Sequence, residues 1–244
     1  MQPEAYLDMA AVEARHWWFA GRRRILGATI RNLKLPANAQ ILELGSGTGG
    51  NFALLAQFGH VTAVEMNDTA REISQARGGE TQVHAGMLPH GLPFTTQKFD
   101  LICLFDVLEH VEEDEATLQT IRGLLAPGGR ALITVPAHPA LFGPHDLALH
   151  HKRRYAAAEL QAKLHLAGLT INKFSYINMA LAPLAFALRW LDRFRGASQP
   201  SGTSIPPGPL NALFTQLFGA EAHLLPRINL PFGLSLLAVV SAAD

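Results

Sequence analysis

Ile41-Leu42-Glu43-Leu44-Gly45-Ser46-Gly47-Thr48-Gly49-Gly50 is the stretch on which the fold turns. Its first four residues make a short apolar run holding one acid, which reads as a buried strand. Glycines then stand at G-x-G-x-x-G spacing (Gly45, Gly47, Gly50), and a helix-like segment follows. A strand that turns on glycines into a helix presents backbone amides and a helix N-terminus to a ligand, so the loop is read as a cofactor site. Taken alone, the pattern also fits a dinucleotide-binding protein. The neighbouring acids bear on the choice. Glu43 sets a carboxylate beside the loop, where it would repel a pyrophosphate but support a cationic ligand. Glu65, twenty residues after Gly45, closes the second strand and suits two ribose hydroxyls, a need common to both ligand types.

Outward from this loop, short apolar runs alternate with helix-like stretches. Strands are expected over Ile41–Leu44, Val61–Glu65, Thr81–His84, Leu101–Phe105 and Ala131–Val135, and helices over Gly49–Phe58, Thr69–Arg77 and Asp114–Leu125. Such alternation implies a parallel sheet with crossover helices. A polar, histidine-rich loop then runs from Pro136 to Tyr155, before a helix over Ala156–Ala167 and a strand over Thr170–Tyr176. One domain is expected: a helical cap at 1–34, a cofactor-binding core at 35–176, an apolar helical insert at 177–232 and a last strand within 233–244. No internal repeat is visible.

The 244 residues are 48% hydrophobic and only 16% charged, against about 25% charged in an average soluble protein. Twenty basic and twenty acidic side chains cancel, so no overall field draws nucleic acid, and none is expected as a partner. The single cysteine, Cys103, lies in an apolar run, which excludes an intramolecular disulfide and a cysteine-rich zinc site and fits a reducing cytoplasm. Met1 to Asp8 carries acids where an export signal needs a basic region followed by an apolar one, so export is not expected.

Three segments carry a family resemblance: ELGSGTG from Glu43 to Gly49, FDLICLFDVLEHV from Phe99 to Val111, and LLAPGGRALITVP from Leu124 to Pro136. In order and spacing they resemble the class I S-adenosylmethionine-dependent methyltransferases, over roughly Arg22 to Tyr176. The resemblance implies a Rossmann-like α/β fold, with a mostly parallel seven-stranded sheet, helices on both faces and a helical insert before the last strand. It implies S-adenosyl-L-methionine as cofactor, with Gly45, Ser46 and Gly47 under its methionine part, Glu65 on the ribose, Met66 on one adenine face, and Met87 and Leu88 at the other edge. Phe105 is counted with the same site. Trp17 or Trp18, in the segment His16 to Arg24, would meet the sulfonium by a cation–π contact, and Arg22 would reach the methionine carboxylate. One departure stands out: many relatives have an aspartate where Met87 stands, and Met87 cannot accept a hydrogen bond from the adenine amino group.

Methyl transfer from a sulfonium is governed by position, which supplies about 7–11 kcal/mol, while a general base adds roughly 10²–10⁴-fold for a hydroxyl acceptor. Two regions offer a base. His110, after Glu109, follows the fourth strand at the sheet edge where open α/β folds bind ligands. His151 lies in Asp146 to Tyr155, which resembles a substrate loop of small-molecule relatives, and Asp146 would pair with it if the loop folds back. Arg153, Arg154 and Tyr155 are assigned to substrate, the guanidinium being suited to an anionic group. His138, His145, His150 and His151 match no zinc-binding spacing, so no metal is assigned.

The function expected is methyl transfer to a small-molecule or lipid-linked acceptor, at oxygen. A nicotinamide-dependent oxidoreductase and a cofactor-binding scaffold without catalysis are the alternatives. In the insert, an apolar run from Met179 to Leu188 leads into Arg189, Trp190, Arg193 and Arg195. That composition suits a lid over the acceptor or a membrane interface, and oligomerisation also stays open.

Overall fold

The computed structural model describes residues 3–94, 96–187 and 204–243. Trp190, Arg193 and Arg195 lie outside the described residues. Helices α1 (Pro3–Val12) and α2 (Trp17–Leu33) precede a run of β1 (Ala39–Leu44), α3 (Phe52–Leu55), β2 (Gly59–Glu65), α4 (Asp68–Arg77), β3 (Gln82–Ala85) and β4 (Phe99–Phe105). Then come α5 (Asp114–Leu124), β5 (Leu125–Pro136), α6 (Pro144–Ala148), α7 (Ala157–Leu166) and β6 (Leu169–Ile177). A helix over 182–187 (α8), α9 (Gly208–Gly219), α10 (Glu221–Leu224) and β7 (Ser235–Ala242) complete the chain.

The seven strands form one sheet in the order β3-β2-β1-β4-β5-β7-β6, parallel except for β7, which runs antiparallel to both β5 and β6. Strand order reverses between β1 and β4, and a doubly wound sheet binds ligands in the crevice that opens there. The glycine loop follows β1 and Asp106 follows β4, so both stand at that crevice.

Alternation along the strands divides the core. Leu42, Leu44, Ile102, Leu104 and Ile133 pack against α5 and α7, while Ile41, Leu101, Cys103 and Leu132 face α2 and α9. Helix α2 buries Ile25, Leu26, Thr29 and Ile30 at helical spacing, and His16 caps it by accepting from the Trp18 amide at 3.2 Å. Gly21 is required where α9 crosses, because a Cβ there would stand 2.6 Å from the Phe218 ring.

Three expectations change. The helix anticipated over Gly49–Phe58 shrinks to the single turn α3, since Gly49 takes a left-handed φ of 81° and Gly50 packs against Glu13. Strand β5 starts at Leu125, ahead of Pro127-Gly128-Gly129, because Leu125 pairs with Phe99 before the register shifts. The loop after β5 is partly helical, holding α6. In the insert, Phe214 and Phe218 of α9 pack edge-on against Trp17 at 5.6 and 6.2 Å, so this part of it joins the core beside α2. Among the described residues no helix is long and apolar enough to cross a membrane.

Candidate active site

The glycine loop is held from below and behind. Gly45 and Ser46 amides donate to the Val64 carbonyl at 2.8 and 3.1 Å. Gly45 has φ 70° and lies where a Cβ would meet Val107 at 2.6 Å, so no larger residue fits the turn. Glu65, almost wholly buried, accepts from the amides of Gly47 and Asn67, both at 2.8 Å. Each carboxylate oxygen retains a further acceptor site for a ribose hydroxyl. Glu43 is 1% exposed. Its Oε1 accepts from Asn51 at 2.8 Å, and its Oε2 has no hydrogen-bond partner among the described residues. Burial pushes the Glu43 carboxyl up to about 7; Asn51 and Arg22 oppose the rise, and the charges of Glu13 and Glu65 add to it.

Helix α1 closes over this loop. Glu13 accepts from Thr48 Oγ1 at 2.7 Å and pairs with Arg77, whose Nη2 also donates to the Ala10 carbonyl at 2.8 Å. The Met9 methyl stands 3.3 Å from where a Gly47 Cβ would be. Burial, then the charge of Glu65, pushes the Tyr6 hydroxyl up to about 12. Tyr6, Met9 and Glu13 escaped the sequence reading, which sought the lid at Trp17 or Trp18. Trp18 instead lies under the Arg22 guanidinium, 4.4 Å from ring centroid to Cζ, while Arg22 pairs with Asp106 and keeps a buried Nε without a partner. Asp106, given no role earlier, follows β4 with a left-handed φ of 57°.

Met66 and Met87 are 66% and 55% exposed, one just beyond β2 and the other beyond β3. Neither fills the core, and both are free to flank a flat ring. Met87 exchanges both backbone hydrogen bonds with Gly91, at 3.1 and 2.7 Å. Its carbonyl thus already accepts one hydrogen bond, from Gly91. Leu88 is half-buried beside it. Phe105 requires correction: its ring is buried among the side chains facing α2, so it serves the core rather than the cofactor.

The loop after β5 does fold back. His151 Nδ1 lies 3.0 Å from Asp146 Oδ1, and the same oxygen accepts from Arg154 Nε at 2.8 Å. Despite its burial, these partners and the Gly143 amide hold the Asp146 carboxyl down at about 2. An ionised carboxylate only accepts, so Nδ1 carries a proton toward Asp146, and in the neutral ring Nε2 is the nitrogen with a lone pair. That nitrogen points at Glu109, 3.9 Å away, and the ring meets His110 edge-on at 4.7 Å. Glu109 is completely buried with neither carboxylate oxygen hydrogen-bonded. Burial, then the charge of Asp106, pushes its carboxyl well up. His110 is pulled down to about 4 by burial and by His151. Ligand atoms of Glu109, His110 and His151 lie within 4.8 Å of one another, a cluster with the chemistry to hold a divalent cation that the sequence spacing did not suggest.

The substrate assignments of the buried Arg154 and Tyr155 are corrected, while Arg153, assigned with them, stays partly exposed. Arg154 is buried between Asp146 and the Ala137 carbonyl, to which it donates at 3.2 Å. Tyr155 is fully buried and donates to Asp114 at 2.9 Å. Arg153 pairs with Asp114 at 2.9 Å and with Glu112. These three side chains brace the loop that carries His151. A wall of different character stands at the same sheet edge. His138 stacks on Tyr176 (5.5 Å between ring centres, 15° between planes), meets Phe186 edge-on at 5.4 Å, and is held by its Nε2, 2.8 Å from the Gly233 carbonyl.

Comparison with known proteins places this arrangement in context. Residues 15–173 match a family described as a methyltransferase domain. A demethylmenaquinone methyltransferase of Clavibacter sepedonicus is 29% identical over 162 residues, covering 63% of this chain and 62% of that relative. A ubiquinone biosynthesis O-methyltransferase of Xanthomonas axonopodis pv. citri is 27% identical over 199 residues, covering 70% and 83%. Among solved structures, an S-adenosylmethionine-dependent methyltransferase from Mesorhizobium loti superposes with a TM-score of 0.56 at 17% identity, covering 87% of this chain and 95% of that one.

Proposed function

The chain belongs to the methyltransferase-domain family, and on that premise we propose that it methylates a hydroxyl oxygen on a ring-bearing small molecule, with His151 as the base. S-adenosylmethionine is its methyl donor, and when bound it supplies a methyl group on a positively charged sulfur, already activated toward an oxygen lone pair. The residues present fit it. The unpartnered Oε2 of Glu43 and the unpartnered Nε of Arg22 are buried polar atoms of opposite sign beside the glycine loop. They match the ammonium and carboxylate of an amino-acid end, while Glu65, Met66, Met87 and Leu88 suit the nucleoside end.

The observation that carries the reading is the Asp146–His151 pair. Asp146 fixes the ring and its tautomer, and leaves Nε2 as acceptor for a hydroxyl proton; the imidazolium that forms is balanced by the Asp146 carboxylate. His110, held down at about 4, stays neutral beside it and adds no repulsion. The aromatic wall of His138, Tyr176 and Phe186 supports a flat acceptor such as a phenol. The two relatives named for quinone compounds support a ring carrying a lipid tail. Incubating cell extract with deuterated-methyl cofactor and the protein tests this by mass spectrometry. An O-methylated aromatic product is expected; label appearing only on nitrogen or carbon would refute the oxygen assignment, and cofactor binding with no labelled product would favour a scaffold.

A second reading rests on Glu109, whose buried, unpartnered carboxylate with His110 and His151 would hold a divalent cation that acidifies the acceptor hydroxyl. Turnover that disappears on chelation and returns with magnesium or zinc would favour it. Full activity after exhaustive chelation would leave His151 as the base.

A further inference from the structure

Away from the site, α2, α3, α9 and α10 enclose an open groove of about 1100 Å³. Arg23, Arg24, Arg31, Arg227 and His223 line it, and no aspartate or glutamate does. In a chain whose acids and bases balance at twenty each, this is a segregation of charge. Elsewhere the guanidinium groups of Arg22, Arg71, Arg77, Arg153 and Arg154 each meet a carboxylate. Those of the groove do not, among the described residues. Arg23 donates to the carbonyls of Glu13 and Ala14, Arg24 to Gln216 at 2.9 Å, and Arg227 to the His223 carbonyl at 3.3 Å. Arg31 lies 5.9 Å over the Phe58 ring.

One wall of the groove is α9, which contains no charged residue. Phe214 and Phe218 face inward, and beside them Leu210, Leu213 and Leu217 are 40%, 51% and 41% exposed. At about 100° per residue these leucines fall within about 60° of one another, next to the strip of Gln216 and Ala220 that borders the groove. Leu224 and Ile228 extend the exposed apolar line along α10 and beyond. A surface helix ordinarily turns charge to water; one without a charged residue whose apolar arc extends past its buried edge into solvent is built to be covered.

We propose that this combined surface docks on an anionic lipid bilayer, the leucines of α9 entering the acyl boundary and the groove arginines meeting headgroup phosphates. Charge complementarity selects this occupant, since the surface offers cations beside an apolar stripe and no acid to pair with a basic partner. The proposal stands on the surface alone, and its test reads binding rather than methyl transfer.

The full chain is sedimented with vesicles of phosphatidylcholine alone or mixed with phosphatidylglycerol, at low and high salt. Wild type is expected to bind only the mixed vesicles, losing at least about tenfold in partitioning at high salt. A variant carrying Arg24→Gln, Arg31→Gln and Arg227→Gln should lose roughly 100-fold, at about 1 kcal/mol per arginine, while the matching Arg→Lys triple variant should bind nearly as wild type. Unchanged binding of S-adenosylhomocysteine certifies that each variant is folded. Wild type that stays with the supernatant, or a Gln variant that binds like wild type, overturns the proposal. So does displacement by stoichiometric inorganic phosphate, which would mark a discrete anion site, or a dimer that Leu213→Asn with Leu217→Asn converts to monomer, which would mark a subunit interface.

Discussion

Replacing Glu43 by Gln should stabilise the free protein and weaken its hold on the cofactor. In the folded chain the Glu43 carboxyl keeps its proton up to about 7, against an ordinary 4.5. Between those values the folded state binds one proton more than the unfolded state, so stability is fully present below about pH 4.5 and is lost as pH rises through 7. At about 1.4 kcal/mol per pKa unit the loss reaches about 3 kcal/mol; Glu43 is 1% exposed, so solvent does little to reduce it. Glutamine keeps an oxygen for the Asn51 amide and never ionises. Urea unfolding at pH 5 and pH 8.5 should therefore show wild type losing about 2.5 kcal/mol across the interval relative to Glu43→Gln. Calorimetry with S-adenosylhomocysteine should show the reverse preference, with roughly 10- to 100-fold weaker binding, the cost of one charge-assisted hydrogen bond. Wild-type affinity should also rise from pH 6 to 8, with proton release that depends on the buffer. Parallel stability profiles for the two proteins would refute the argument that Glu43 is held protonated by burial, and unchanged affinity would refute its place on the ammonium.

Three further outcomes follow from contacts in the site. Glu65→Ala removes a carboxylate that orders both the glycine loop and a ribose; S-adenosylhomocysteine should bind at least about tenfold more weakly by calorimetry, with the fold intact by circular dichroism. Asp146→Asn should cut turnover by about 100-fold or more while cofactor affinity stays within a few-fold, because it frees the His151 tautomer; near wild-type turnover would remove His151 from the role of base. Glu13→Gln weakens the clasp of α1 on Thr48 and Arg77, so stopped-flow release of bound cofactor should quicken by about tenfold, and an unchanged rate would mean that α1 does not gate the site.

The sheet and its loop were legible because their signals are local. Apolar runs of four to seven residues, glycines at a strand end and an acid closing the next strand all lie within one window of the chain. What escaped depends on partners distant in sequence. Glu13 meets Thr48 and Arg77, 35 and 64 residues away, and nothing in the sequence around α1 announces that it covers the glycine loop. Arg153 and Tyr155 read as part of a basic turn open to an anionic substrate, because Asp114, 39 and 41 residues earlier, gave no sign of facing them. Histidine spacing likewise pointed away from a metal, since the cluster of Glu109, His110 and His151 is made by a loop folding back and not by one helix face. The pairing of Asp146 with His151 could be foreseen only because both lie in the same short loop.

The acids also bear on the dinucleotide alternative that the glycine spacing leaves open. Glu43 belongs to β1, Glu65 ends β2, and Asp106 and Glu109 follow β4, all around one crevice. The fold leaves them under-neutralised: Glu43 and Glu109 are pushed up by burial and further by acidic neighbours, and Arg22 pairs with only one of the four, Asp106. His110, held down at about 4, supplies no charge at neutral pH. A pyrophosphate brought onto the loop would oppose the ionisation of buried carboxyls that burial already keeps protonated, and would repel their ionised forms in a site with little water to screen them. A ligand with a sulfonium and an ammonium enters the same site favourably. The carboxylates that a dinucleotide would have to tolerate are thus the ones that make the loop selective for a cationic cofactor, and the pH dependence of the Glu43 variant measures how strong that selection is.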